Sequence, residues 1–195
     1  NVLMDSDSKV IFLEKYTTNK EYYEKNYSAN PDDNFFSKKG FYQDDLRRFK
    51  QFKKEISKSK KILDFGCEWG GFINLSKNIC PSIDGVELNI DCLKYLKNKF
   101  SNLIFYKNIN NLKKKYDLVT AFHVLEHIPN QLNTLINFKK ILKKKGLLII
   151  EVPHAKDYLI QSINLPEFRK FIFWSEHLVL HTKKSLEILL KKSGF

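Results

Sequence analysis

Apolar residues along this chain gather into short continuous runs at 61–65, 83–87, 103–107, 117–122 and 147–152. Runs of this length, bounded by polar and glycine-containing segments, predict strands buried on both faces. Helical segments are predicted near 70–79, 90–99, 131–143 and 183–192, so strand and helix alternate. That alternation requires right-handed crossovers and hence an α/β fold with a parallel sheet and helices on both faces. Upstream, Phe41, Leu46, Phe49, Phe52 and Ile56 stand near helical spacing and predict an amphipathic helix over about 41–57. Val10-Ile11-Phe12-Leu13 predicts a short strand, and Tyr16, Tyr22, Tyr23 and Tyr27 fall on or near a helix. Tyr23 and Tyr27, four apart, share a face of it, and the turn cluster Asn30-Pro31-Asp32-Asp33-Asn34 ends it. The expected organisation is an N-terminal helical cap or lid over 1–40 and one domain over 41–195.

Composition narrows the class. A 195-residue chain with 43% hydrophobic residues suffices for one substantial core. No apolar stretch is long enough to span a membrane and no signal-peptide pattern opens the chain, so a cytoplasmic location is expected. Cys67, Cys80 and Cys92 are odd in number and lack Cys-x-x-Cys spacing, which predicts buried thiols. The net charge of +12 raises the question of nucleic acid, but Arg47, Arg48 and Arg169 are the only arginines. Base-edge and bidentate phosphate recognition favours arginine, so nucleic acid is disfavoured. The runs Lys58-Ser59-Lys60-Lys61, Lys113-Lys114-Lys115 and Lys143-Lys144-Lys145 precede predicted strands and read as solvated turns.

The chemistry starts at Ile62-Leu63-Asp64-Phe65-Gly66-Cys67-Glu68-Trp69-Gly70-Gly71, a buried strand entering a glycine-rich turn. In open α/β sheets the carboxyl end of a strand is where ligands bind. A phosphate-cradling loop would end Gly-Lys-Ser/Thr, and this turn continues Gly70-Gly71-Phe72-Ile73. A dinucleotide fingerprint would not place Asp64 where its charge repels the pyrophosphate. A small ligand carrying an ammonium or sulfonium remains.

At these residues the chain resembles the class I S-adenosylmethionine-dependent methyltransferases, whose first motif is Asp-x-Gly-x-Gly-x-Gly after a strand. Asp64, Gly66 and Gly70 match it, and Glu68 stands at the usual middle glycine, beside Cys67. The Glu68 carboxylate either faces solvent or reaches the amino group of the cofactor's methionine part. The resemblance continues in order over about 40–195: Ile83-Asp84-Gly85-Val86-Glu87-Leu88, Leu103 to Lys107, Asp117 to Ile128, Gly146 to Pro153, then Ser175-Glu176-His177-Leu178. It implies a Rossmann-like sheet of strand order 3-2-1-4-5 with S-adenosyl-L-methionine across the carboxyl ends of strands 1, 2 and 4. It further implies Glu87 on the ribose hydroxyls, Leu88 on the adenine, Asn108 near the exocyclic amine, and Phe122 and His123 also at the cofactor. A carboxylate is the natural bidentate acceptor for a diol. The family continues with two more strands, so the final strands are expected to be missing here.

Methyl transfer from a sulfonium is an in-line displacement, and a hydroxyl or carbon acceptor also needs a base. His177 is the expected base, because Trp174-Ser175-Glu176-His177 resembles the Tyr-x-Glu-His element of sugar C-methyltransferases. His127, His154 and Tyr27 are expected to line the substrate cleft. No metal is expected, since histidines and cysteines are not at ligand spacing. The reading is a methyltransferase of a small molecule or glycan, such as a sugar of a surface polysaccharide. A cofactor-binding relative without transfer activity, acting as a scaffold or partner domain, is the alternative, suggested by Glu68. A nucleic-acid methyltransferase would place an Asn/Asp-Pro-Pro-Tyr/Phe element after strand four, where Phe122-His123-Val124-Leu125 stands instead.

Overall fold

The computed structural model describes residues 1–15, 20–25, 41–110, 112–163, 165–172 and 177–195. Tyr16, Tyr27, the 30–34 turn cluster and Trp174 to Glu176 lie outside the described residues. The chain forms two compact units, one of residues 20–121 and 141–149, the other of 1–19, 122–140 and 150–195.

The first unit is built on a five-stranded sheet of β3 (Ile62–Phe65), β4 (Ile83–Val86), β5 (Ile104–Tyr106), β6 (Tyr116–Phe122) and β7 (Leu142–Glu151), in the order β5-β4-β3-β6-β7. Counted along these five strands the order is 3-2-1-4-5, as expected, and β5, β4, β3 and β6 pair in parallel. Ile62, Leu63, Ile83, Leu118 and Val119 are buried in these strands, which explains why they read as continuous apolar runs rather than alternating ones. Helices flank the sheet: α1 (Lys20–Lys25), α2 (Phe41–Gln51), α3 (Lys53–Lys58), α4 (Gly71–Ser76) and α5 (Ile90–Lys99). The expected single helix over 41–57 is two, because the backbone at Phe52 leaves the helical region at φ −106° and ψ 16°.

The fifth strand also departs from expectation. It starts at Leu142, directly after the helix α6 (Gln131–Ile141), so Lys143 to Lys145 lie in an exposed stretch of strand rather than a turn. Their solvation is as expected, but Lys143 Nζ also reaches Asp117 Oδ1 at 2.8 Å. The other lysine runs are stitched down in the same way. Lys114 Nζ lies 3.1 Å and Lys61 Nζ 3.7 Å from the buried Asp84, which also accepts the Tyr116 hydroxyl at 2.8 Å. Backbone N–H groups of Lys60 and Lys61 donate to Asp117 Oδ2 at 3.1 and 2.9 Å. Much of the basic character at these turns therefore serves the sheet's amino-terminal edge. The three cysteines are free and buried, as expected.

The second unit carries α6 and, beyond β7, α7 (Tyr158–Gln161), α8 (Pro166–Ile172), β8 (Val179–Leu180) and α9 (Lys183–Lys192). Its strands β1 (Val2–Met4) and β2 (Ile11–Leu13) join β8 in an antiparallel sheet ordered β1-β2-β8. Ile11, Ala155, Ile160, Ile172 and Leu180 form its apolar cluster. Thr182 caps α9 through a reciprocal box with Ser185, fixing the chain just after β8. No helix among the described residues is long and apolar enough to cross a membrane.

Candidate functional site

In the first unit the turn after β3 is held by its own backbone. Gly66 N and Cys67 N donate to Val86 O at 2.8 and 3.1 Å, and Gly70 N donates to Cys67 O at 2.8 Å. Gly66 and Gly70 are left-handed, at φ 72° and 79°, and a Cβ on Gly70 would stand 2.7 Å from Leu96 Cδ2, so α5 is packed against bare backbone there. Glu68 adopts φ 49° where the resembled motif has glycine. A left-handed non-glycine costs about 1–2 kcal/mol and is held only when its surroundings over-determine it.

Glu87, at the end of β4, is what holds it. Its Oε2 accepts Glu68 N at 2.9 Å and its Oε1 accepts Asn89 N at 2.8 Å. Each carboxylate oxygen has two lone-pair directions, and the Leu88 N–H also bonds the carboxylate, so the backbone donors hold it without exhausting its acceptor capacity. Asn89 continues the frame: its Oδ1 caps α5 by accepting Asp91 N and Cys92 N, and its Nδ2 donates to Tyr23 O of α1 at 3.2 Å. Lys107 Nζ meets Glu24 Oε1 at 3.1 Å, a second tie between α1 and the carboxyl edge of the sheet. Leu88 is half-buried, and Asn108 is exposed with its Oδ1 accepting Asn110 N at 3.2 Å.

The electrostatics point to a cation. Burial pushes the Asp64 carboxyl up to about 6, opposed by the Thr120 hydroxyl that donates to it at 2.7 Å and by Arg48. Burial likewise pushes Asp45 up to about 7, with Arg48 lowering it and Asp64 and Glu68 raising it further. Glu87 is raised by burial against the hydrogen bonds it accepts, and Cys67 well above its ordinary range by burial and by the charges of Asp64 and Glu87. Asp45, Asp64 and Glu87, each raised first by burial and then by a neighbouring carboxylate, surround a glycine-rich turn and fit a ligand bearing a positive charge. A ligand with an ammonium and a sulfonium meets that requirement.

The second unit gathers histidines. Past buried Phe122, His123 takes φ 51°, and its N–H donates to Glu151 O at 2.8 Å. Its ring lies between two carboxylates, Nδ1 3.2 Å from Glu126 Oε1 and Nε2 3.1 Å from Glu151 Oε1. Leu125–His127 forms a 3-10 turn, and Leu178 N donates to Glu126 O at 2.8 Å, which brings His177 beside it. The His127 and His177 rings lie 4.9 Å apart at 54°. His177 Nδ1 donates to Ile172 O at 2.7 Å, which leaves the lone pair on Nε2, and burial lowers its pKa below the usual histidine range. Glu126 is fully buried, and its Oε2 has no hydrogen-bond partner among the described residues. An unsatisfied buried oxygen of this kind costs about 1–3 kcal/mol, more when charged.

Of the residues expected at the substrate, His127 and His177 are brought together, while His154 is exposed, its backbone bridged to His181 and its Nδ1 accepting Lys156 N at 3.1 Å. Two residues escape sequence reasoning. His181 Nε2 bonds Gln131 Oε1 at 2.7 Å and Gln131 Nε2 donates to Leu125 O at 2.8 Å, a buried brace on the histidine turn. The one available signal was the alternation His177-Leu178-Val179-Leu180-His181, which places both histidines on one strand face.

Comparison with known proteins agrees with the fold. A family described as a methyltransferase domain matches residues 38–195. An uncharacterised protein of Methanocaldococcus jannaschii is 38% identical over 120 residues, 60% of this chain and 51% of that protein. A ubiquinone biosynthesis O-methyltransferase of Glaesserella parasuis is 28% identical over 145 residues, 61% of each chain. The chain thus spans about half to three-fifths of the length of these relatives. Among solved structures, a SAM-dependent methyltransferase from Archaeoglobus fulgidus superposes with a TM-score of 0.66 at 23% identity, covering 82% of this chain and 72% of that one.

Proposed function

The chain belongs to the methyltransferase domain family, and on that premise we propose that it transfers the methyl group of S-adenosylmethionine to a hydroxyl of a small molecule. The observation that supports the reading is Glu87, whose two carboxylate oxygens accept the backbone N–H groups of Glu68 and Asn89 beside the glycine-rich turn and keep acceptor capacity for a ribose hydroxyl. When bound, the cofactor supplies an electrophilic methyl on a sulfonium with a neutral thioether as leaving group. The first unit's own part is to bind and orient: Glu87 takes the ribose, Gly66 to Gly70 admit the ligand to the backbone, and Asp64 with Asp45 favours its positive charge. Orientation of this kind supplies much of the rate in an in-line displacement.

Oxygen as acceptor is supported by the relatives named as O-methyltransferases. A hydroxyl must shed its proton as it attacks, and within the second unit the group of Glu126, His127 and His177 is able to accept one. The test is incorporation of labelled methyl from S-adenosylmethionine into a panel of phenols, quinols and nucleotide sugars. An O-methylated product is expected. Tight cofactor binding with no transfer to any acceptor class would instead support a binding-only role.

A further inference from the structure

We propose that Glu126, His127 and His177 form a binding site for one divalent transition-metal ion, with zinc the best fit. The three residues each offer one ligand atom, and these atoms all lie within 4.8 Å of one another, the one such group among the described residues. Around a tetrahedral ion with bonds of about 2.0–2.1 Å, ligand atoms stand roughly 3.3 Å apart. A bound ion would draw the three atoms in to that spacing.

Each ligand is prepared by a neighbour. The bond from His177 Nδ1 to Ile172 O, 2.7 Å long, sets the tautomer and aims the Nε2 lone pair, the usual outer support of a metal-bound imidazole. Glu126 is fully buried; His123 Nδ1 stands 3.2 Å from its Oε1, His127 Nε2 3.9 Å from the same oxygen, and its Oε2 has no hydrogen-bond partner among the described residues. A buried carboxylate oxygen beside two imidazoles calls for a cation there. His123 is held in turn by Glu151 at 3.1 Å and by a strained backbone at φ 51°, a cost that is kept where geometry matters. Two imidazoles and a carboxylate, with no thiolate, are the donor set of zinc sites that keep a fourth position open. An oxygen bound in that position loses its proton near neutral pH. Ion binding does not rest on the methyltransferase reading. The expectation of no metal came from spacing alone, and the ligands of this group come from the turn after β6 and the residues before β8, which no spacing rule links.

The whole chain, stripped with chelator, is titrated with Co²⁺ by visible absorption and with Zn²⁺ by calorimetry. Uptake of about one ion per chain is expected, with the d–d bands of a four- or five-coordinate site. His177→Asn keeps a donor for Ile172 O and removes Nε2; Glu126→Gln keeps size and removes charge. Each should weaken binding beyond the roughly 10–100-fold typical of losing an outer partner. Circular dichroism establishes that each variant is folded, and if one is not, the other decides. No uptake by the unaltered chain, or uptake unchanged in a folded variant, overturns the site. S-adenosylmethionine binding, titrated in parallel, separates this outcome from failure of the methyltransferase reading.

Discussion

Glu87→Ala should weaken S-adenosylmethionine binding by about 1.5–3 kcal/mol, roughly 10–150-fold, the range for hydrogen bonds to a charged acceptor. The effect has two sources. The variant loses the acceptor oxygens we assign to the ribose, and it releases Glu68 N and Asn89 N, which position the turn and the start of α5. Glu87→Gln, with one acceptor oxygen retained, should fall between. Calorimetric titration with the demethylated cofactor, alongside a melt showing that each variant folds, measures it. Unchanged affinity in a folded Glu87→Ala variant removes Glu87 from the site.

The second large effect is on stability. Asp64 is buried beneath the turn with its carboxyl raised from 3.8 to about 6, so between those values the folded chain binds a proton that the unfolded chain has lost. A group with a raised folded pKa stabilises below its unfolded value and loses that contribution as pH rises through the folded one. Asp64→Asn keeps an acceptor for the Thr120 hydroxyl and removes the charge. At pH 8, without cofactor, it should stabilise the chain by about 2–3 kcal/mol, or roughly 5–10 °C, and the gain should vanish towards pH 4. The same change removes a negative charge that favours a cationic ligand, so cofactor affinity should drop by about tenfold or more. Stability traded against binding is the signature of a functional charge. A variant less stable than the unaltered chain at pH 8 would show that Asp64 is a satisfied structural ion.

The parts of the fold that were legible are those set by local pattern. Strands β3, β4 and β6 are buried on both faces and so appear as apolar runs, and the turn between β3 and α4 carries glycines at its left-handed positions. Glu68 was visible as a departure, and the strain at φ 49° is its physical consequence. What escaped is non-local. The sheet β1-β2-β8 rests on pairings such as Ile11 with Leu180, and a two-residue strand carries too short a pattern to announce itself. The histidine group depends on the bond from Leu178 N to Glu126 O, joining segments that sequence leaves far apart. Lys143 to Lys145 were read as a loop from their charge, which reports exposure and not backbone conformation.

Amide hydrogen exchange of the whole chain, with and without S-adenosylmethionine, tests the central claim most directly, because it locates the ligand without presupposing an acceptor or a metal. Slowed exchange confined to residues 64–71 and 86–90 is expected, where the amides of Gly66, Cys67, Glu68 and Asn89 frame the turn and Glu87. Binding that leaves both segments unprotected, or no binding at all, would contradict it.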